Sequence, residues 1–446
     1  MERRIFFEKS ILAYLGLALS PTLLASCRKE TLFPDSDFSG KVIIIGAGAA
    51  GLYAGYILKA RGIDFTIIEA SNRSGGRLGK KSDFADYPID LGAQWLHGRN
   101  SILGDLAKST ATKITKDNSD SVYWFNNQIT SSIPQDVEEI ISSDSDSPDI
   151  SFSEHAEQQG LGSEYKYIVE QIAGDSGADS SDISIKWNSI EEEEWNSGET
   201  DFKFEETFFD LIDKNITEEI KGSILLNTPI TKIDYSGNGV LVSDNQGNSY
   251  QGDKVILTVP ITILQDSDIE FEPALPQAKI EAFNKIGMGA GMKVFLKFSS
   301  KFYDENIAGG EICAAYADEI IGKNGTDNVL LAFVMGLQAE HLTSLGSDTA
   351  ITNALLAELD TMYSGQATAS FIDSHVENWT TNPFIKGAYS YSKVGIGNSR
   401  SIAAQPVNNK LFFAGEAMNL NGHHQTVHGA LETGYREVIN ILTMEQ

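Results

Sequence analysis

Three glycines and one carboxylate, spaced to hold a pyrophosphate and a ribose, lie in the run KVIIIGAGAAGLYAGYILKARGIDFTIIE at positions 41–69. Val42 to Ile45 read as a buried strand, and Gly46 as the tight turn that leaves it. Gly48 lets a phosphate approach the backbone, and Gly51, next to Ala50, permits close packing of the helix that follows. That helix offers the unpaired amides and positive dipole end of its N-terminus to the phosphates. Glu69 ends the second strand where an acid accepts hydrogen bonds from the adenosine ribose and repels a 2′-phosphate. The glycine spacing alone is a common turn. With strand, helix, second strand and terminal acid in order, it points to an adenine dinucleotide other than NADP.

The elements that must position these groups form a strand–helix–strand unit from about Phe38 to Gly98. After it the text is rich in Ser, Asp and Asn and weakly helical to about residue 220. From Ser223 three strand patterns, ILLNTPITKIDYSG, GVLVSDNQG and DKVILTVP, read as a meander with Gly-Asn-Gly and Asn-Gln-Gly turns. Residues 288–400 alternate strand and helix patterns, among them KVFLKF and ITNALLAELDTMY. From Leu411 come a short strand, an acid, a loop and a helix over 429–442.

Past Glu69 the run EASNRSGGR, from Glu69 and Ala70 to Arg77, stays glycine-rich and basic, so a second loop with an arginine fork could cover the pyrophosphate. Together with DLGAQWLHG at 90–98, GMKVFLKF at 291–298, LFFAGEAMN at 411–419 and TVHGALETG at 426–434, it resembles the flavin-containing amine oxidase family, nearest to its polyamine oxidases. The resemblance covers most of the chain. It implies an α/β fold with an FAD-binding Rossmann-like (GR2-type) domain built from 38–98, 221–287 and 405–446. A mixed-sheet and helical substrate domain would come from 99–220 and 288–404.

By the same resemblance, Gly92, Ala93, Gln94 and Trp95 contact FAD, the Ile230 backbone meets the adenine, and Glu416 contacts the ribityl chain. Thr426 and Val427 start the helix that faces the pyrimidine end of the flavin, where its N-terminus favours the anionic reduced form. Lys293 matches the lysine that holds a water against flavin N5. Strand alternation places it with Phe295 and Lys297 on one face, with Lys297 and Lys301 read as solvated. Trp379 matches a tryptophan beside the isoalloxazine and Tyr389 an aromatic cage residue; ordinary core packing is their other reading. Thr426 stands at the second cage position, and His97 matches a histidine of polyamine oxidases. Ala388 occupies the position where covalent monoamine oxidases carry a flavin-linking cysteine, which implies non-covalent FAD. His423, His424 and His428 have no carboxylate or cysteine at ligand spacing and overlap a flavin motif, so no metal is expected.

The activity implied is oxidation of an amine, a polyamine or a related one, by hydride transfer to flavin, giving imine or aldehyde and, with oxygen, hydrogen peroxide. Monoamines or an L-amino acid are alternative substrates; an amino acid needs an arginine clamp, for which Arg99 is the candidate. A flavin desaturase or porphyrinogen oxidase shares the dinucleotide fold without needing the lysine or the cage.

The composition, 41% hydrophobic and 22% charged over 446 residues, is that of a globular chain long enough for two domains. A net charge of -28 argues against nucleic acid. Residues 135–201 hold 19 acids against Lys166 and Lys186; this region reads either as a solvated helical face or as a field that gathers cationic substrates. At the N-terminus, Arg3-Arg4 with paired phenylalanines, an apolar run and LeuAlaSerCys ending at Cys27 resemble an export signal with a lipobox. The signal, over 1–27, resembles a twin-arginine export signal, although arginine pairs also occur in ordinary Sec signals, and it implies a lipoprotein of the bacterial cell envelope, touching the membrane only through a lipid on Cys27. Only Cys313 then remains, so no intramolecular disulfide can form.

Overall fold

The computed structural model describes residues 36–133, 137 and 144–444. The residues read as an export signal, Cys27 among them, lie outside the described residues, as does part of the acidic region.

Five parallel strands form the sheet that carries the glycine turn, in the order Ile224–Leu225, Phe65–Ile68, Val42–Ile45, Lys254–Leu257 and Leu411–Phe413. Val42 to Ile45 are all buried, because both faces of the sheet are covered. Val42 and Ile44 pack toward the helices Ala49–Ala60 and Val427–Thr443. Ile43 and Ile45 pack toward an antiparallel meander that includes Ile233 and Val242. The two helices cross closely: a Cβ at Gly434 would come within 2.3 Å of the Ala50 carbonyl.

The meander differs from the sequence reading. Its strands are Ile230–Asp234, Val240–Asp244 and Ser249–Gly252, with Glu270–Glu272 added at the edge. Lys254–Leu257 and Ile224–Leu225 leave it for the parallel sheet. The reason is physical: Lys254 to Leu257 do not alternate, and a strand buried at every position belongs between two covered faces.

The second large sheet has seven strands, in the order Phe371–Asn378, Gly291–Phe298, Asn328–Met335, Ala315–Asp318, Asn306–Ala308, Ser121–Phe125 and Gln128–Thr130. Helices Gly336–Ser344 and Asp348–Met362 cover one face, packing on Met292, Val294, Leu296 and Phe298. The stretch read as weakly helical also contributes strands. Asp201–Phe204 pairs with both Leu96–His97 and Ile114–Lys116, long-range partners that no local pattern announces.

Candidate active site

One cavity of about 930 Å³ runs from the glycine turn to the seven-stranded sheet. Of the candidate site residues, all but Gly51 line it. Gly51 instead supports the turn, since a Cβ there would lie 2.0 Å from the Gly46 carbonyl oxygen.

At one end the backbone is shaped for phosphates. Gly46 has φ +107°, and a Cβ on Gly48 would meet no protein atom within 4 Å, so the space beside Gly48 is free for a ligand. A second glycine turn, Gly75-Gly76, closes over it and bridges Gly48. Glu69 does more than face a ribose. Its Oε2 accepts from Ala47 N at 2.7 Å and its Oε1 from Ser71 N at 2.9 Å, tying both glycine loops to the strand end. Arg73 holds the second loop by donating to the carbonyls of Ser74, Gly76 and Leu78. Thr228, Pro229 and Ile230 complete the wall beside Glu69. These residues fit the adenosine pyrophosphate of FAD.

Arg77 takes a different part from the expected pyrophosphate fork. Its Nη1 donates to Ala388 O and to Glu416 Oε1, both at 2.8 Å, clasping the two segments that flank the middle of the cavity. Burial alone would raise the Glu416 carboxyl, but the Arg77 charge, hydrogen bonds from Ser390 and Arg77, and Arg400 hold it at about 2. The acid therefore stays ionised.

Lys293 is buried, and its Nζ donates to Asp90 O at 2.6 Å, Gly92 O at 3.0 Å and Gln94 Oε1. Burial pushes its ammonium down to about 8, against the opposing pull of Glu319 and Asp90. Of the two lysines read as solvated, Lys301 is exposed, whereas Lys297 is half-buried against Asp327 at 2.6 Å. Trp379 donates to Leu91 O at 2.9 Å and its ring edge packs on Gly92, where a Cβ would lie 3.5 Å away. Tyr389 stands across the cavity, its hydroxyl held by Gly174 O at 3.1 Å and Asp175 O at 3.3 Å. Thr426 borders the site, but its hydroxyl donates to His423 O and accepts from Gly429 N as the cap of the last helix. Its hydroxyl is thus engaged within the helix cap.

His97 faces the cavity with Nδ1 2.8 Å from Asp201 Oδ1. Asp175, Asp201, Asn306, Phe333 and Gln425 also line the cavity and were not singled out by sequence. Arg99 is no clamp: its guanidinium stacks 4.1 Å above Phe202, and the cavity's arginines are Arg73 and Arg77.

The acidic region is not simply a solvated face. Glu191 is half-buried, 2.9 Å from His424 Nε2 and 3.4 Å from Arg400 Nε. Arg400 donates to Ser390 Oγ at 3.0 Å, and Ser390 Oγ to Glu416 Oε2 at 2.7 Å, so the network reaches the cavity acid. Burial and Arg400 push His424 down, while His424 and Arg400 outweigh burial to hold Glu191 low. Glu432 likewise meets His423 at 2.9 Å, so carboxylates do reach the histidines. No group of three metal-ligating side chains forms among the described residues.

Similarities place this geometry. Residues 44–109 match a NAD(P)-binding Rossmann-like domain. The chain is 27% identical over 464 residues to lysine-specific histone demethylase 2 of Homo sapiens, covering 92% of this chain and 54% of that one. It thus spans about half the length of the curated relatives of that kind. To polyamine oxidase 5 of Oryza sativa subsp. japonica it is 27% identical, covering 88% of this chain and 86% of that one. Putrescine oxidase bound to putrescine superposes with TM-score 0.76 at 20% identity, over 91% of this chain and 99% of that one. Cyclohexylamine oxidase from Brevibacterium oxydans gives 0.75 at 21%, over 92% and 99%. These two structures share the fold. The family model for flavin containing amine oxidoreductase matches residues 207–442, more than half of the chain, and the chain belongs to that family.

Proposed function

We propose that the protein oxidises an amine, a polyamine or a related one, with FAD bound non-covalently and oxygen as acceptor. The observation that carries this reading is the single cavity joining the Gly46–Gly48 turn and Glu69 to Lys293, Trp379 and Tyr389. The names of the relatives, polyamine oxidase and putrescine oxidase, support the substrate class.

When bound, the flavin supplies a hydride acceptor whose electrons pass on to oxygen as hydrogen peroxide. The chain's own residues do the rest. Gly46, Gly48 and Glu69 would hold the adenosine half, Arg77 and Glu416 the middle, and Gly92 to Trp95 with Trp379 the chemical end. Tyr389 and Trp379 form apolar walls that orient an amine and exclude water. An amine arrives as an ammonium, yet its nitrogen lone pair must be free before the α-carbon gives up hydride. With Nδ1 engaged by Asp201, the other ring nitrogen of His97 can accept that proton. Lys293 directs its three ammonium N–H groups at Asp90 O, Gly92 O and Gln94 Oε1, which fixes the 90–94 segment and sets a positive charge at the base of the site. Ala388 offers no nucleophile next to Tyr389, and Cys313 is buried outside the cavity lining.

Anaerobic mixing of the purified flavoprotein with spermidine, spermine, putrescine, phenylethylamine and several L-amino acids tests the reading. Bleaching of the flavin by an amine, then recovery with peroxide on admitting air, is the expected result. A fully loaded flavin that none of them bleaches overturns it.

We propose further that the chain is exported as an envelope lipoprotein, on the strength of Arg3-Arg4, the apolar run and Cys27. Labelled palmitate should enter the wild type and not Cys27→Ser. Incorporation that survives the substitution overturns the anchor.

A further inference from the structure

Lys293 and Glu319 share one face of the seven-stranded sheet. Lys293 pairs with Phe333 and Phe333 with Ala315; alternation carries that face on through Ala317 to Glu319, whose N–H donates to Val329 O at 3.0 Å. Both are buried, and buried Gln94 joins them. The Gln94 Nε2 donates to Glu319 Oε1 at 2.8 Å, and its Oε1 accepts from Lys293 Nζ. A carboxylate only accepts and an ammonium only donates, so the amide between them has a single orientation that serves both.

The charges around Lys293 single out Glu319. Glu319 and Asp90 pull on the ammonium, while Lys203 and Lys323 oppose it. Asp90 is committed elsewhere. Its Oδ2 lies 3.3 Å from Lys323 Nζ and its Oδ1 accepts from Phe208 N at 2.9 Å, so it meets Lys293 through its backbone carbonyl. Lys203 lies over the Trp95 ring at 5.0 Å and attracts Asp117. Glu377, opposite Lys293 on the outer strand, lies 3.8 Å from His375 and pulls on Arg73. Glu319 is the carboxylate aimed, through one amide, at the Lys293 ammonium. Removing one member of such a buried set leaves the remaining charge without its counterpart.

We infer that Glu319 is a positioning residue that acts through Gln94, orienting the amide onto Lys293 and supplying the counter-charge for its ammonium at the base of the cavity. The turn after strand Ala315–Asp318 thereby governs the 90–94 segment twice: Glu319 holds Gln94, and Lys323 holds Asp90. The inference deepens the oxidase reading at its oxygen step and rests on that reading there, while the state of Lys293 is readable with no substrate.

The test follows Lys293 itself. Holoenzyme with lysine carbon-13-labelled at Cε is titrated by NMR from about pH 6 to 10, the Lys293 resonance being the one missing from Lys293→Met. The wild type should titrate at about 8. Glu319→Gln, the same size without the charge, should lower that midpoint by about one pH unit, a tenfold change in proton affinity, and Glu319→Asp should restore most of it. Gln94→Leu, which cuts the bridge and leaves the carboxylate, should lower it as well. In stopped flow, dithionite-reduced holoenzyme mixed with oxygen should show its rate break displaced by the same amount in each variant. Melting temperature and flavin absorbance verify folding and loading.

A midpoint in Glu319→Gln that stays within about 0.3 pH unit of the wild type overturns the inference, whatever the substitution does to stability. Should that variant not fold, an unmoved midpoint in Gln94→Leu overturns it equally. If the reduced flavin does not react with oxygen at any pH, the oxidase reading falls, and the resonance midpoints still decide the role of Glu319.

Discussion

His97 Nδ1 lies 2.8 Å from Asp201 Oδ1 although 104 positions separate them in the chain. The contact forms because Leu96–His97 and Asp201–Phe204 pair as antiparallel strands with His97 opposite Asp201. The carboxylate fixes which ring nitrogen donates and sets the plane of the imidazole, so the other nitrogen acts as an acceptor toward the cavity. His97→Gln should lower kcat/KM for amines by roughly 10²-fold, and Asp201→Asn by about tenfold. If the pair works as a unit, the double variant loses no more than His97→Gln alone. Losses that multiply across a double-mutant cycle would show that Asp201 acts elsewhere.

Gly48 and Gly51 are three positions apart and should respond in opposite ways. A Cβ at Gly48 meets no protein atom within 4 Å, and its φ of -76° suits any residue. Gly48→Ala should leave the apoprotein stable within about 0.5 kcal/mol while cutting its FAD content sharply. A Cβ at Gly51 would strike the Gly46 carbonyl oxygen at 2.0 Å. Gly51→Ala should therefore destabilise the fold itself by about 1–3 kcal/mol. Thermal melts of the apoproteins and flavin absorbance of the loaded forms separate the two effects. Equal loss of stability in both variants would falsify the assignment of Gly48 to the ligand.

The parts of the site legible in sequence are those whose logic is local. Gly46, Gly48, Gly51 and Glu69 lie within one strand–helix–strand unit, so spacing alone carries their meaning. Asp201 and Glu191 could not be read in that way. Both belong to a run of acids in which no member differs locally from its neighbours; only the fold sets Glu191 between His424 and Arg400 and brings Asp201 to His97. Lys254–Leu257 was misplaced for a related reason. A short apolar strand after a hairpin turn looks like the next strand of a meander until its covered partners, Val42–Ile45 and Leu411–Phe413, are known.

Lys279 gives a stability prediction away from the site. It is buried, donates to Ala403 O at 2.6 Å and Ile402 O at 3.2 Å, and sits 3.8 Å above the Phe413 ring. Burial pushes its ammonium down to about 7, so the unfolded chain binds this proton more tightly than the folded one. Between about pH 7 and 10.5 the unfolded state carries the extra proton, and stability from this group rises with pH; below 7 that gain is gone. Melting curves from pH 6 to 9 should show a wild-type rise that Lys279→Met flattens. A rise of the same size in the variant assigns the dependence to other groups.

Lys293 presents three N–H donors to three acceptors, the carbonyls of Asp90 and Gly92 and the Gln94 amide oxygen. Only the ammonium satisfies all three, and burial holds its titration at about 8. As pH rises through 8 the positive charge disappears from the base of the cavity, where reduction of the proposed acceptor, oxygen, develops negative charge. Reoxidation of the reduced enzyme, followed by stopped-flow absorbance, should therefore slow above pH 8 in the wild type. Lys293→Met should be slower by roughly 10²-fold at neutral pH and flat across that range. Lys293→Arg keeps a charge at every pH but not the compact geometry, so its residual rate should be equally insensitive to pH. A break near pH 8 that persists in either variant would place the titrating group outside Lys293 and remove the lysine from the oxygen step.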